Sequence, residues 1–209
     1  MSESLDDLPE VADLAGPGMR LLLVGINPSP LTARTGFHFA HPGNRFYPAL
    51  RRAGVLPETA TTPELAAPVL LGRGVGITNL SPRPTARADE LDDEEVRAGR
   101  ERVTVAVRAY GPRVVAVAGV TSYRVAFADR RARLGRQAHD LEGAELWVVP
   151  NPSGLNAHAT IDSLARDYRE VAEAAGVPLD DVPPLPWPPF AIGERTRSLS
   201  GELSRLDSG

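Results

Sequence analysis

Apolar residues gather in four short strand-like runs, Leu21 to Val24, Val75 to Leu80 (with Gly76, Thr78 and Asn79 among them), Val114 to Ala118 and Leu146 to Val149. Such runs, short and rich in β-branched residues, read as strands buried on both faces. Between them, apolar positions recur at helical spacing near Asn44 to Ala53, Pro63 to Leu71, Asp92 to Tyr110, Ser122 to Arg133 and Thr160 to Ala175. Strands alternating with helices predict an α/β fold, a parallel sheet covered by helices on both faces. The acids Asp92, Asp93, Glu94 and Glu95 open the third helix, where they complement the positive end of its dipole. The pattern divides the chain into an acidic N-terminal segment (1–17), one domain (18–177) and a proline-rich tail (178–209). From Pro178 the run Val182-Pro183-Pro184-Leu185-Pro186-Trp187-Pro188-Pro189 reads as extended polyproline with no role in the core.

Two of the strands end alike. Gly25-Ile26-Asn27-Pro28-Ser29 follows the first run, and Asn151-Pro152-Ser153-Gly154-Leu155 follows the last. Proline has no N–H for the ladder and forces the residue before it into an extended or turn conformation. Asn27 and Asn151 are therefore expected in loops at the carboxyl ends of strands, where open α/β sheets bind ligands.

With 209 residues, 42% of them apolar, the chain is long enough for one domain with a full core. No apolar run reaches the roughly 20 residues of a membrane helix, and residues 1–13 are acidic rather than signal-like, so a cytoplasmic, unprocessed protein is expected. There is no cysteine, which removes disulfides, iron–sulfur clusters and cysteine-ligated zinc. All 23 basic residues are arginine. Without lysine there is no side-chain Schiff base, no lysine-dependent phosphate loop and no kinase lysine. The net charge of −4 hides an uneven distribution: residues 14–57 carry Arg20, Arg34, Arg45, Arg51 and Arg52 and no acid. That basic stretch contains the first Asn-Pro motif; ordinary solvated arginines and a polyanion-binding face both fit it.

Several familiar signatures fail on context. Gly72-Arg73-Gly74-Val75-Gly76 precedes a strand instead of following one, which argues against a dinucleotide fingerprint. Ser153 lacks the glycine elbow of a hydrolase nucleophile, so a triad with His158 is disfavoured. His38 and His41 have no nearby carboxylate or cysteine to complete a metal site. The stretch Thr35 to Tyr47 is different, because it concentrates Phe37, Phe39, Phe46 and Tyr47 in a chain only 5% aromatic. Some of these rings suit a core-packing loop, and a ring beside a strand-end pocket also suits stacking on an extruded base.

In this order, Gly25-Ile26-Asn27-Pro28, then Thr35-Gly36-Phe37-x-Phe39-Ala40-His41-Pro42-x-Asn44-Arg45-Phe46, then Arg83-Pro84-Thr85, then Asn151-Pro152-Ser153-Gly154-Leu155, the chain resembles the mismatch-specific uracil-DNA glycosylases, bacterial relatives of thymine-DNA glycosylase. The resemblance spans roughly residues 18–175. It implies a three-layer α/β/α sandwich with a central, mostly parallel sheet, acting on double-stranded DNA that carries uracil or mismatches. It also implies a monomer, with no metal and no organic cofactor. By the same resemblance Asn27 positions the water that attacks the sugar C1′, Phe39 stacks on the flipped base, and backbone N–H groups around Ile26 and Phe39 read it. Ser29 and Asn151 line the base pocket. Ser153, Gly154, Leu155 and Asn156 form the DNA-inserting loop with Leu155 as its wedge, and Arg45 is a candidate phosphate contact.

Three departures from the family pattern matter. Asn156-Ala157-His158 stands where the family usually has Ser-Arg, which alters the reading of the orphan guanine. Ser29 stands where the family usually has glycine, which implies a slightly narrower pocket. Asp93 is a candidate catalytic carboxylate, with a helix-start acid as the alternative. A non-catalytic nucleic-acid or nucleotide-binding domain using the same pocket is the rival to catalysis.

Overall fold

The computed structural model describes residues 8–185. Residues 1–7 of the acidic segment and 186–209 of the tail, including Trp187-Pro188-Pro189, lie outside them. The four apolar runs form β1 (Leu21–Gly25), β2 (Val75–Asn79), β3 (Val114–Ala118) and β5 (Glu145–Val149), and a two-residue β4 (Gly135–Arg136) completes the sheet. The strand order is β2-β1-β3-β5-β4, parallel throughout except for β4.

Side chains of neighbouring strand residues point to opposite faces, and both faces are filled. Leu21, Leu23, Ala116, Trp147 and Val149 pack with α2 (Phe46–Arg52), α3 (Pro63–Gly72) and α6 (Ile161–Ala175). Leu22, Val24, Val115, Val117, Leu146 and Val148 pack with α4 (Asp93–Tyr110) and α5 (Val120–Ala126). Burial on both sides is why these strands show no polar alternation, and the result is the expected three-layer α/β/α arrangement.

The predicted helix over 122–133 is shorter and earlier, Val120–Ala126. Ala128 adopts a left-handed φ of 55°, and the Asp129 carboxylate accepts from the Arg131 amide at 2.9 Å, which diverts the backbone from helical bonding. A helix without a periodic signal, α1 (Pro30–Thr35), is started by Ser29 as N-cap with proline in its first turn and ended by Gly36 at φ 75°.

The flanking segments also belong to the fold. Leu14 exchanges two backbone hydrogen bonds with Ile77, of 2.9 and 2.8 Å, and so covers the free edge of β2. At the other end, the expectation of no core role is corrected for residues 178–185. Leu179 and Leu185 pack on the α2/α3/α6 core, Arg73 holds the Asp180 carboxylate with bonds of 2.8 and 2.9 Å, and Arg52 donates to the carbonyls of Pro183 and Pro184. Among the described residues, no helix is long and apolar enough to cross a membrane.

Candidate active site

From β1 the chain moves to β2 on one side, then returns to β3 on the other, so the order reverses between β1 and β3. Such a reversal opens a crevice at the carboxyl ends of the strands. A cavity of about 500 Å³ lies there, and Ile26, Asn27, Ser29, Phe39, Asn151 and Ser153 are among the residues that line it. Both Asn-Pro loops therefore reach one pocket.

Asn27 is held by its nitrogen. Nδ2 donates to Thr85 Oγ1 at 2.7 Å, to the Pro28 carbonyl at 3.0 Å and, more weakly, to the Arg83 carbonyl at 3.4 Å. Two of these groups are carbonyls that can only accept, which fixes which end of the amide is nitrogen. Oδ1 has no donor among the described residues and is left to accept a hydrogen bond in the cavity. Arg83 is itself clamped, its guanidinium on Glu95 at 2.6 and 2.8 Å. That contact, with the Asp92 amide, holds the Glu95 carboxyl down to about 2.

Phe39 sits at φ 55°, a conformation costly for a bulky residue, and its ring stacks on Phe46 with centroids 4.0 Å apart. The neighbouring groups enforce it. Tyr47 donates its hydroxyl to the His38 carbonyl at 2.7 Å, and the His38 ring bridges the Ala12 carbonyl and Asn79 Nδ2. Burial pushes the His38 imidazole below its usual pKa, so its neutral form fills this bridge. Gly25 is needed beneath, because a Cβ there would lie 2.3 Å from Asn79 Oδ1 and 3.1 Å from the Phe39 ring.

In the second loop, Asn151 Oδ1 accepts from the Ser153 amide at 3.0 Å, an Asx turn, while its Nδ2 has no acceptor among the described residues. Asn156 closes the turn by donating Nδ2 to the Asn151 carbonyl at 3.0 Å. Leu155 stands at the tip, 84% exposed. Gly154 lies so close to the Gly43 carbonyl that a Cβ would meet it at 2.5 Å.

The model of the Uracil DNA glycosylase superfamily matches residues 13–173. The chain belongs to that superfamily. A solution NMR structure of a Methanosarcina acetivorans protein, provisionally named a uracil DNA glycosylase, shares the fold with a TM-score of 0.55 at 18% identity, over 80% of this chain and 94% of that one.

Not every candidate site residue lies at the cavity. Asp93 does not: it opens α4 on the surface, its side chain 68% exposed and paired with Arg97 at 2.9 Å. The cap itself belongs to Asp92 and Glu95, which form a capping box. The carboxylate at the cavity is Asp89, ion-paired with Arg87. Arg45 is half-buried and turned inward. It donates to the carbonyls of Ser153 (3.3 Å), Gly154 (2.9 Å), Asn156 (3.0 Å) and Ala159, so its guanidinium staples the second loop from beneath. Ser29 lines the cavity while its hydroxyl caps α1 on the Thr32 amide at 3.2 Å.

His38 and His41 are engaged separately, the latter accepting from the Gly43 amide. No group of three or more metal-ligating side chains exists among the described residues. Thr85, Asn44, Arg87 and Asp89 reach the cavity without having been singled out. Thr85 and Asn44 lie inside the quoted motifs, which was the available signal.

Proposed function

We propose that the protein is a monofunctional DNA glycosylase, a monomer, that removes uracil from double-stranded DNA and prefers G:U mispairs. The observation that carries this reading is the Asn27 amide, anchored through Nδ2 with Oδ1 left for the cavity, beside the Phe39 ring backed by Phe46. A flipped uracil stacks on Phe39, and the Asn151 amide with nearby backbone N–H groups donates to its carbonyl oxygens. As the C1′–N1 bond breaks, its electron pair goes to the uracil ring, where those donors stabilise the anion. Water held by Asn27 Oδ1 adds to C1′ and loses its proton to solvent, and the uracil anion takes up a proton from solvent, giving an abasic sugar and free uracil. An amide is a poor base, yet an oxocarbenium-like sugar asks only for a placed nucleophile.

Leu155 fills the gap in the stack. Flipping costs a few kcal/mol and least at a mispair, which supports the G:U preference. With no lysine in the chain, side-chain amine adducts are unavailable and the product is an intact abasic strand.

The test is an end-labelled duplex carrying G:U, A:U or G:T. Strand breaks are expected only after alkali, and faster for G:U than A:U. Binding of uracil-containing duplex without alkali-labile sites would replace catalysis by the non-catalytic binding-domain reading. Faster cleavage of A:U would remove the mispair preference alone.

A further inference from the structure

Thr85 is 2% exposed, and its hydroxyl stands between two groups with opposite demands. Oγ1 lies 2.6 Å from the Arg87 carbonyl and 2.7 Å from Asn27 Nδ2. The carbonyl can only accept, so the single hydroxyl hydrogen goes there and the oxygen's lone pairs face Asn27. A rotated amide would set Oδ1 against those lone pairs and against the Pro28 and Arg83 carbonyls. The Thr85 amide also donates to the Pro28 carbonyl at 3.1 Å, which ties the two loops together at the residue after Asn27.

We propose that Thr85 is a positioning residue for Asn27: the relay from Asn27 through the Thr85 hydroxyl to the Arg87 carbonyl holds Oδ1 in its water-binding orientation. This rests on the reading that Asn27 Oδ1 holds the attacking water. Although Thr85 lines the cavity, its hydroxyl is committed to the Arg87 carbonyl and Asn27 Nδ2, so it acts through the amide.

Thr85→Val is nearly isosteric and removes only the hydroxyl. Single-turnover excision of uracil from a G:U duplex should fall about 10- to 100-fold, the cost of misplacing a reacting group by up to an ångström. Kd for the same duplex should stay within about twofold, because the interaction lost acts on the chemical step. Thr85→Ser keeps the donor and acceptor and should recover the rate. Combining Thr85→Val with Asn27→Ala should cost nothing beyond Asn27→Ala, since groups that act as one unit are not additive. Thr85→Ala carries the same comparison if the valine variant melts near the assay temperature.

A Thr85→Val rate equal to wild type, or a full additional loss in the double variant, overturns the relay while leaving Asn27 in place. Wild-type excision by Asn27→Ala instead removes the reading on which the relay rests.

Discussion

The two Asn-Pro loops share a dipeptide and a position in the sheet, but their hydrogen bonds do opposite things. In the loop after β1, the bonds converge on a side chain: Asn27 Nδ2 has three acceptors, one of them from a residue 58 positions away. In the loop after β5, they converge on the backbone: Arg45 takes four carbonyls, and Leu155 is left 84% exposed. This fits the proposed roles: a group that orients water has to be fixed at its polar end, whereas a wedge has to be presented on a firm backbone with its side chain unencumbered. The same punctuation of a strand thus yields two differently held loops, set by where the partners come from.

The sharpest way to break this contrast is at Asn27. Asn27→Ala should lower excision by about 100-fold or more while binding of a mismatch duplex persists, as expected for a placed catalytic group. Gel-shift and single-turnover assays on one preparation check both halves, and equal losses in binding would recast Asn27 as a binding residue. Arg45→Met comes next, since it leaves four loop carbonyls without their donor. Stability should fall by about 1–3 kcal/mol, read from urea unfolding, and duplex binding should weaken through loss of loop shape. Lost binding with unchanged stability would mean that Arg45 turns outward to phosphate.

Leu155→Ala should be milder and selective. A:U excision should suffer more than G:U, because the better-paired base costs more to extrude. Equal losses would argue against a wedge.

The anchoring of the first loop can be probed through acid. The Glu95 carboxyl lies at about 2, below its ordinary 4.5, because it holds Arg83 and the Asp92 amide. A lowered carboxyl contributes stability fully above 4.5, and that contribution is lost as pH falls through the window toward about 2. Glu95→Gln should therefore be less stable than wild type at neutral pH, and its stability should fall less steeply through that window. A parallel pair of stability curves would disconnect Glu95 from the loop.

The smallest effect is expected at Asp93, two residues earlier on the same helix turn. Exposed and, among the described residues, paired with Arg97, it should cost less than about 1 kcal/mol as Asp93→Ala, with excision unchanged. A tenfold loss of excision would restore it as a catalytic carboxylate.

Much of the frame was legible from sequence because short-range rules govern it. The four apolar runs became the four parallel strands, and the ends of α4 and α6 fell within a residue of their periodic patterns. α1 escaped because a six-residue helix offers too few turns for a period, although Ser29, Pro30 and Gly36 mark its ends. Among candidate site residues, the place of Asn27, Phe39 and Asn151 at the cavity was legible because proline and aromatic clustering mark them locally. Arg45 and Asp93 were not, since a basic residue in a basic stretch and an acid in an acidic run look alike whether they face a ligand or their own chain.

Periodicity and proline chemistry act over a few residues, so the layers of the sandwich and the placement of both asparagines at strand ends were readable along the chain. The folded chain alone decided that Thr85, 58 residues on, accepts a hydrogen bond from the Asn27 amide, and that Arg45 reaches carbonyls 108 to 114 residues away. It likewise decided that residues 178–185 lie on the core. The physical reason is common to all three. A hydrogen-bonding group finds its partner by proximity, and the strand order that brings distant loops together is set by the packing of both faces of the sheet at once, not by any local stretch of residues.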